Sequence, residues 1–256
     1  MDDLLWCIQY LKQINGINQD FHWSLKETFR ALMNVTLPYD LSDEFYARQG
    51  KVLKQMNQEK GMIDVATLTP LYPKIYLVQK DITCLQVDAI VNACNEKMLG
   101  CFIPLHGCID NAIHSFAGLE VRRDLMQIME KQGHDEPVGQ VKVTKGYHLP
   151  AKFIFHTVGP QVYQKVTLKE KEELRQCYLS CLKKADEMEL KSLAFCSIST
   201  GVYHFPIQQA SQIAIQTIDD YLKHHSSCLK QIIIDVFSKE DYDVYYQVIE
   251  KYFKGS

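Results

Sequence analysis

Much that would place this chain in a special class is missing from it. No apolar run approaches the ~18 residues of a membrane-spanning helix, so an integral membrane protein is not expected. The opening residues Met1-Asp2-Asp3 are acidic, where an export signal would put positive charge ahead of an apolar core. A net charge of −3 over 256 residues argues against a broad nucleic-acid-binding face. There is no internal repeat and no low-complexity tract. The chain also carries no Walker lysine motif and no Gly-x-Gly-x-x-Gly fingerprint, which removes the two commonest glycine-rich nucleotide cradles.

What remains is an ordinary globular composition, 46% hydrophobic and 23% charged. The length suits one large domain, or one domain with a helical appendage. Nine cysteines is a high and odd number. Without an export signal they read as reduced thiols, and a cytoplasmic location follows as an expectation.

Residues 1–70 read as helical. Leu4, Leu5, Ile8, Leu11 and Ile14 recur at helical spacing before Gly16, and Leu25, Phe29 and Leu32 share a face. Ser42 is a candidate N-cap ahead of Asp43 and Glu44. This segment offers apolar faces and no cluster of polar chemistry, so it reads as a cap packed on the rest. The pattern changes at Pro70 and Pro73. From there short apolar strands alternate with longer helices. Strands are expected at 75–78, 88–91, 141–144, 153–158, 192–196 and 232–237. Helices are expected at 113–130, 168–188, 207–224 and 239–253. That alternation predicts a three-layer α/β domain over residues 71–256.

Chemistry concentrates at strand ends. The densest stretch is 92–114, where Cys101, His106 and Cys108 are spaced Cys-x4-His-x-Cys. Three such ligands suit a zinc ion with one open position; a pair of reduced thiols near a histidine is the plainer alternative. Ser199-Thr200-Gly201-Val202-Tyr203-His204 joins a strand to a helix. Backbone N–H groups there could cradle a phosphate, or simply form a tight turn. Asp81, in Asp81-Ile82-Thr83, is placed to accept from an exocyclic amine or to cap a turn. Asn92 and Asn95 flank two small residues, with carboxamides suited to sugar hydroxyls or to turn formation. His114 and His156 sit in apolar surroundings and read as structural.

Four motifs in order resemble the macrodomain family, which binds ADP-ribose. They are Lys80-Asp81-Ile82-Thr83, Asn92-Ala93-Cys94-Asn95, Ile109-Asp110-Asn111-Ala112-Ile113-His114, and Gly201-Val202-Tyr203-His204-Phe205-Pro206. The resemblance covers about residues 74–254. It implies a three-layer α/β/α macrodomain with a central mixed sheet, here with the N-terminal helical extension. Family members carry a glycine run before the helix-start Asp. Here Gly100 and the longer 101–108 segment replace it, which resembles the zinc-dependent branch, microbial proteins with such an extension.

The resemblance further implies the site. Cys101, His106 and Cys108 would bind one Zn²⁺ with an open fourth position. Asp81 and Ile82 would hold adenine, with Phe237 beside it. Ser199, Thr200, Gly201, Val202 and Tyr203 would wrap the diphosphate from one side and Gly100 from the other. Asn92 and Asn95 would serve the ribose end. Asn95 and Asp110 are the candidate catalytic residues, Asp110 matching the acid of the zinc-free branch. The implied activity is hydrolysis of mono-ADP-ribose from modified protein side chains. A non-catalytic ADP-ribose reader and an O-acetyl-ADP-ribose deacetylase are the alternatives. The implied partner is an ADP-ribosylated protein, with a lipoyl-carrier protein modified by a sirtuin-like transferase as the branch's example, and neither nucleic acid nor membrane.

Overall fold

A computed structural model describes residues 2–39 and 41–255; Met1, Asp40 and Ser256 lie outside the described residues. Three helices open the chain: α1 (Asp3–Ile14), α2 (Leu25–Val35) and α3 (Asp43–Lys60). Local chemistry sets their starts. Ser24 and Glu27 form a reciprocal capping box on α2, and Ser42 Oγ accepts the Phe45 N–H at 3.1 Å to start α3. Their apolar stripes are buried, with Cys7, Leu11, Phe29, Phe45 and Leu53 fully enclosed.

Eight strands and five further helices follow. They are β1 (Ile63–Asp64), β2 (Ile75–Val78), β3 (Leu85–Gln86), β4 (Ala89–Cys94), α4 (Ile109–Ala117), α5 (Leu119–Gln132), β5 (Val141–Lys145), β6 (Phe153–Val158), α6 (Leu168–Glu187), β7 (Ser192–Cys196), α7 (Ile207–His224), β8 (Gln231–Asp235) and α8 (Lys239–Lys254). Six strands make the central sheet in the order β2-β8-β7-β4-β6-β5. All neighbours are parallel except β5 and β6, so the sheet is mixed. Helices α6, α7 and α8 pack side by side; α4 packs on β4 and is covered by α2, α3 and α5, which completes the α/β/α layering. Ile232, Ile233 and Ile234 in β8 are buried on both faces, as parallel strands between helical layers must be. Enclosing rings such as Phe155 and Phe195 stabilises the fold by about 1.5–3 kcal/mol each.

Two differences from the sequence expectation have clear causes. The single helix expected at 113–130 is two helices, broken at Gly118, whose φ is +102°. Only glycine takes that conformation without strain. The break is filled from α3, where Gln49 Oε1 accepts the Leu119 N–H at 3.0 Å. The short pair β1 and β3 was not legible, because two-residue strands carry no period. Among the described residues, no helix is long and apolar enough to cross a membrane.

Candidate active site

Strands β2, β4, β7 and β8 are parallel, so the loops after them share one edge of the sheet. Ligands of open α/β sheets bind at that carboxyl edge. These loops carry Asp81, the 95–108 segment, the 197–206 segment and Phe237.

After β2, Asp81 is already engaged. Its Oδ1 accepts from the Thr83 N–H at 2.9 Å, and its Oδ2 lies 2.7 Å from Lys60 Nζ at the end of α3. Partial burial raises its pKa, but the bonds from Lys60 and Thr83 outweigh this and hold it below 3.8. Lys60 Nζ also sits 3.3 Å above the centre of the Phe116 ring. Ile82 is buried beside Asp81. Across β8, Asp235 accepts the Lys80 N–H at 2.8 Å. The Phe237 ring, 87% exposed, stands free.

After β7, the loop turns on two left-handed residues, Ser199 at φ +67° and His204 at +57°. It is closed at its base by Phe205 N–H to Ser199 O (2.9 Å) and His204 N–H to Gly201 O (3.0 Å). Among the described residues, no backbone acceptor stands opposite the N–H groups of Thr200, Gly201, Val202 and Tyr203. The buried Ser199 Oγ also lacks a partner among them. Open N–H groups on a strand-to-helix loop can take an anion in place of water.

After β4, Asn95 ties its own turn, accepting the Lys97 N–H at 3.0 Å and donating to Gly100 O at 3.3 Å. Gly100 has φ +85°, and a Cβ there would stand 2.9 Å from His114 Cγ and 3.1 Å from the Arg122 guanidinium. Asn92 is fully enclosed. Its Nδ2 donates to Asp110 Oδ1 at 2.8 Å and lies 3.2 Å from His156 Nδ1. His156 Nε2 is 2.9 Å from Thr144 Oγ1. Asp110 is 3.4 Å from His114 Nε2. Burial pushes Asp110 up to about 6, against the Asn92 bond and the Arg122 charge. Burial also keeps both imidazoles neutral, His156 near 3 and His114 well below its ordinary value, with Arg122 adding to the effect on His114. Asn92 and Asp110 therefore belong to one buried network under the loop.

Cys101, His106 and Cys108 converge, all three half-buried. Their ligand atoms lie within 4.8 Å of one another, with Cys101 Sγ 3.6 Å from His106 Nδ1. Tetrahedral bonds of about 2.0–2.3 Å set neighbouring donors roughly 3.4–3.8 Å apart, so this set fits a zinc ion. Cys108 also caps α4, its Sγ accepting the Asn111 N–H at 3.4 Å. Burial, and after it Cys101, push its thiol up to about 12, so without a cation beside it the group stays a neutral thiol. Of the other thiols, Cys7, Cys84, Cys94, Cys177, Cys181 and Cys196 are buried and Cys228 is half-buried.

Three residues outside the sequence-predicted set hold this loop. Asn34 of α2 bonds Leu105, Asn111 of α4 bonds Ile103, and Arg122 of α5 bonds Leu99. No spacing in the sequence marks them, because each acts through partners distant along the chain.

Open N–H donors, an acidic turn and a thiol-rich loop thus share the one sheet edge at which open α/β sheets take their ligands. The chain belongs to the macrodomain family: residues 91–214 match the Macro domain model. It is 44% identical over 229 residues to "Protein-ADP-ribose hydrolase" of Staphylococcus aureus (strain MRSA252), covering 89% of this chain and 85% of that one. It is 43% identical over 224 residues to the protein of the same name from Treponema medium, with 86% and 85% covered. Among solved structures, the Trypanosoma brucei macrodomain in complex with ADP-ribose is similar at TM-score 0.66 and 30% identity, over 86% of this chain and 94% of that chain.

Proposed function

We propose that this protein is a zinc-dependent hydrolase that removes mono-ADP-ribose from modified protein side chains. One observation carries the reading: the donor atoms of Cys101, His106 and Cys108 converge within 4.8 Å on the loop between Asn95 and α4. A module that only bound ADP-ribose would need the Asp81 turn and the 199–203 loop and no such cluster. The names of the bacterial relatives, "Protein-ADP-ribose hydrolase", support the hydrolase part of this reading.

In the proposed complex, Asp81 and Ile82 hold the adenine, with the free Phe237 ring laid against it. The open N–H groups of the 199–203 loop and the backbone at Gly100 grip the diphosphate. Asn95 orients the distal ribose. Asn92 and Asp110 act from beneath, fixing the start of α4 and so the loop above it. In the reaction the bond from C1″ to the acceptor oxygen breaks, and a water oxygen bonds to C1″. One water proton goes to the acceptor oxygen and the other stays on the new ribose hydroxyl. Bound zinc would supply positive charge to orient and polarise a ribose hydroxyl or water. Two thiolates offset that charge, so holding the ribose in a reactive pose is the larger part of the work.

Incubation with an ADP-ribosylated protein, including a modified lipoyl-carrier protein as the first substrate, tests this reading. Free ADP-ribose is the expected product, lost on zinc chelation. Label that stays on the protein would point to a reader, and preference for O-acetyl-ADP-ribose to a deacetylase.

A further inference from the structure

The residues from Gly100 to Cys108 form no helix or strand, and Leu105 sits at φ +55°. A leucine in that region is strained by roughly 1–2 kcal/mol. Such a loop keeps its shape only if anchored from outside. The anchors form a chain of buried hydrogen bonds. The Leu105 N–H donates to Asn34 Oδ1 at 3.0 Å. Asn34 Nδ2 donates to Ser115 Oγ at 2.9 Å, and Ser115 Oγ donates to Asn111 Oδ1 at 3.3 Å. Asn111 then returns to the loop, with Nδ2 donating to Ile103 O at 2.9 Å and its N–H to Cys108 Sγ at 3.4 Å. Asn34, Asn111 and Ser115 are each at most 1% exposed. The circuit thus touches the loop on both sides of Pro104 and at a thiol.

A second clamp acts at the loop's other end. The Arg122 guanidinium takes the carbonyls of Met33 (2.8 Å), Asn34 (3.0 Å) and Thr36 (2.6 Å) at the end of α2. It also bonds Leu99 O at 2.7 Å and lies 4.4 Å from the Phe102 ring centre. The end of α2 is therefore joined to the loop through two independent sets of contacts.

We propose that Asn34 is a positioning residue for the metal loop, fixing the Cys101, His106 and Cys108 donors through Leu105 and through Ser115 and Asn111. This rests on the zinc reading above. It gives the N-terminal helices a part in the site. Groups that hold metal ligands in place are worth roughly ten- to a hundredfold in metal affinity.

The test is zinc affinity by competition with a chromogenic chelator, alongside thermal unfolding of the metal-free protein and ADP binding. Asn34→Ala should weaken zinc binding roughly tenfold or more while ADP affinity stays within about twofold. Ser115→Ala, which leaves the Leu105 bond intact, should weaken zinc less. Asn34→Asp keeps an acceptor for the Leu105 N–H and should restore most of the affinity. If Asn34→Ala does not fold, Ser115→Ala and Asn34→Asp decide. Unchanged zinc affinity in the folded variants, or an Asp variant no better than Ala, overturns the positioning role while leaving the zinc reading intact. A wild-type protein that binds no zinc in the same titration overturns both.

Discussion

Lys60 Nζ, at the last residue of α3, stands 2.7 Å from the Asp81 carboxylate. The group expected to recognise adenine is thus set by a helix that precedes the sheet. The pKa of Asp81 lies below 3.8, so the stability it contributes is present above about pH 4 and lost as pH falls through its folded value. Lys60→Met removes the main bond responsible. Wild type should unfold at higher temperature than Lys60→Met at pH 6–7, and the gap should close towards pH 3. A gap that does not change with pH would mean that the pair carries no electrostatic stabilisation.

Asp235 works in the opposite sense. Burial and the nearby Asp81 raise its pKa to about 8, against the Lys80 N–H bond. Below about pH 4 both folded and unfolded chains hold the proton. Between pH 4 and 8 the unfolded chain loses it while the folded chain keeps it, so stability falls as pH rises. Asp235→Asn keeps an acceptor for Lys80 and cannot ionise. It should match wild type near pH 4 and melt roughly 4 °C higher or more at pH 8. Thermal scans across that range check this.

Phe237 separates binding from folding. Its ring is 87% exposed, so Phe237→Ala should change stability by less than about 0.5 kcal/mol. If the ring packs on adenine, ADP-ribose affinity should fall about five- to tenfold, the scale of a lost aromatic stacking contact. Calorimetric titration with ADP-ribose measures it.

Gly159 tests from below the loop proposed to bind the diphosphate. A Cβ there would overlap the Ser199 hydroxyl and stand 2.8 Å from Ile198 Cγ2. Gly159→Ala should cost about 1–3 kcal/mol of stability by overpacking. It should also weaken ADP, which carries the diphosphate, by more than it weakens adenosine. Equal losses for the two ligands would remove Ser199 from the phosphate site.

The sequence was most readable where period and punctuation agree. The limits of β6 and β7 and of α7 match the expected ones, because each is an apolar run or stripe bounded by Gly, Pro or polar residues. The Cys101, His106 and Cys108 cluster was legible because three metal-ligating residue types fall within eight positions. Asn34, Lys60 and Arg122 were not. Their roles exist only through partners far along the chain, as when Asn34 meets Leu105, 71 residues away. Asn92 shows the same limit from the other side. Its motif suggests a place at the ribose end, while its side chain is enclosed and spent on Asp110 and His156.

Zinc content measured together with turnover decides whether the metal drives hydrolysis. Wild-type protein, chelated protein, chelated protein with zinc restored, and Cys101→Ser would each be assayed for bound metal, ADP-ribose affinity and release of ADP-ribose from a modified protein. One zinc per wild-type chain is expected. Release should fall at least a hundredfold on chelation or in Cys101→Ser and return with zinc, a loss of about 2.7 kcal/mol of transition-state stabilisation or more. Binding of free ADP-ribose should persist throughout. Full hydrolysis by a folded, zinc-free Cys101→Ser protein would contradict metal-driven hydrolysis.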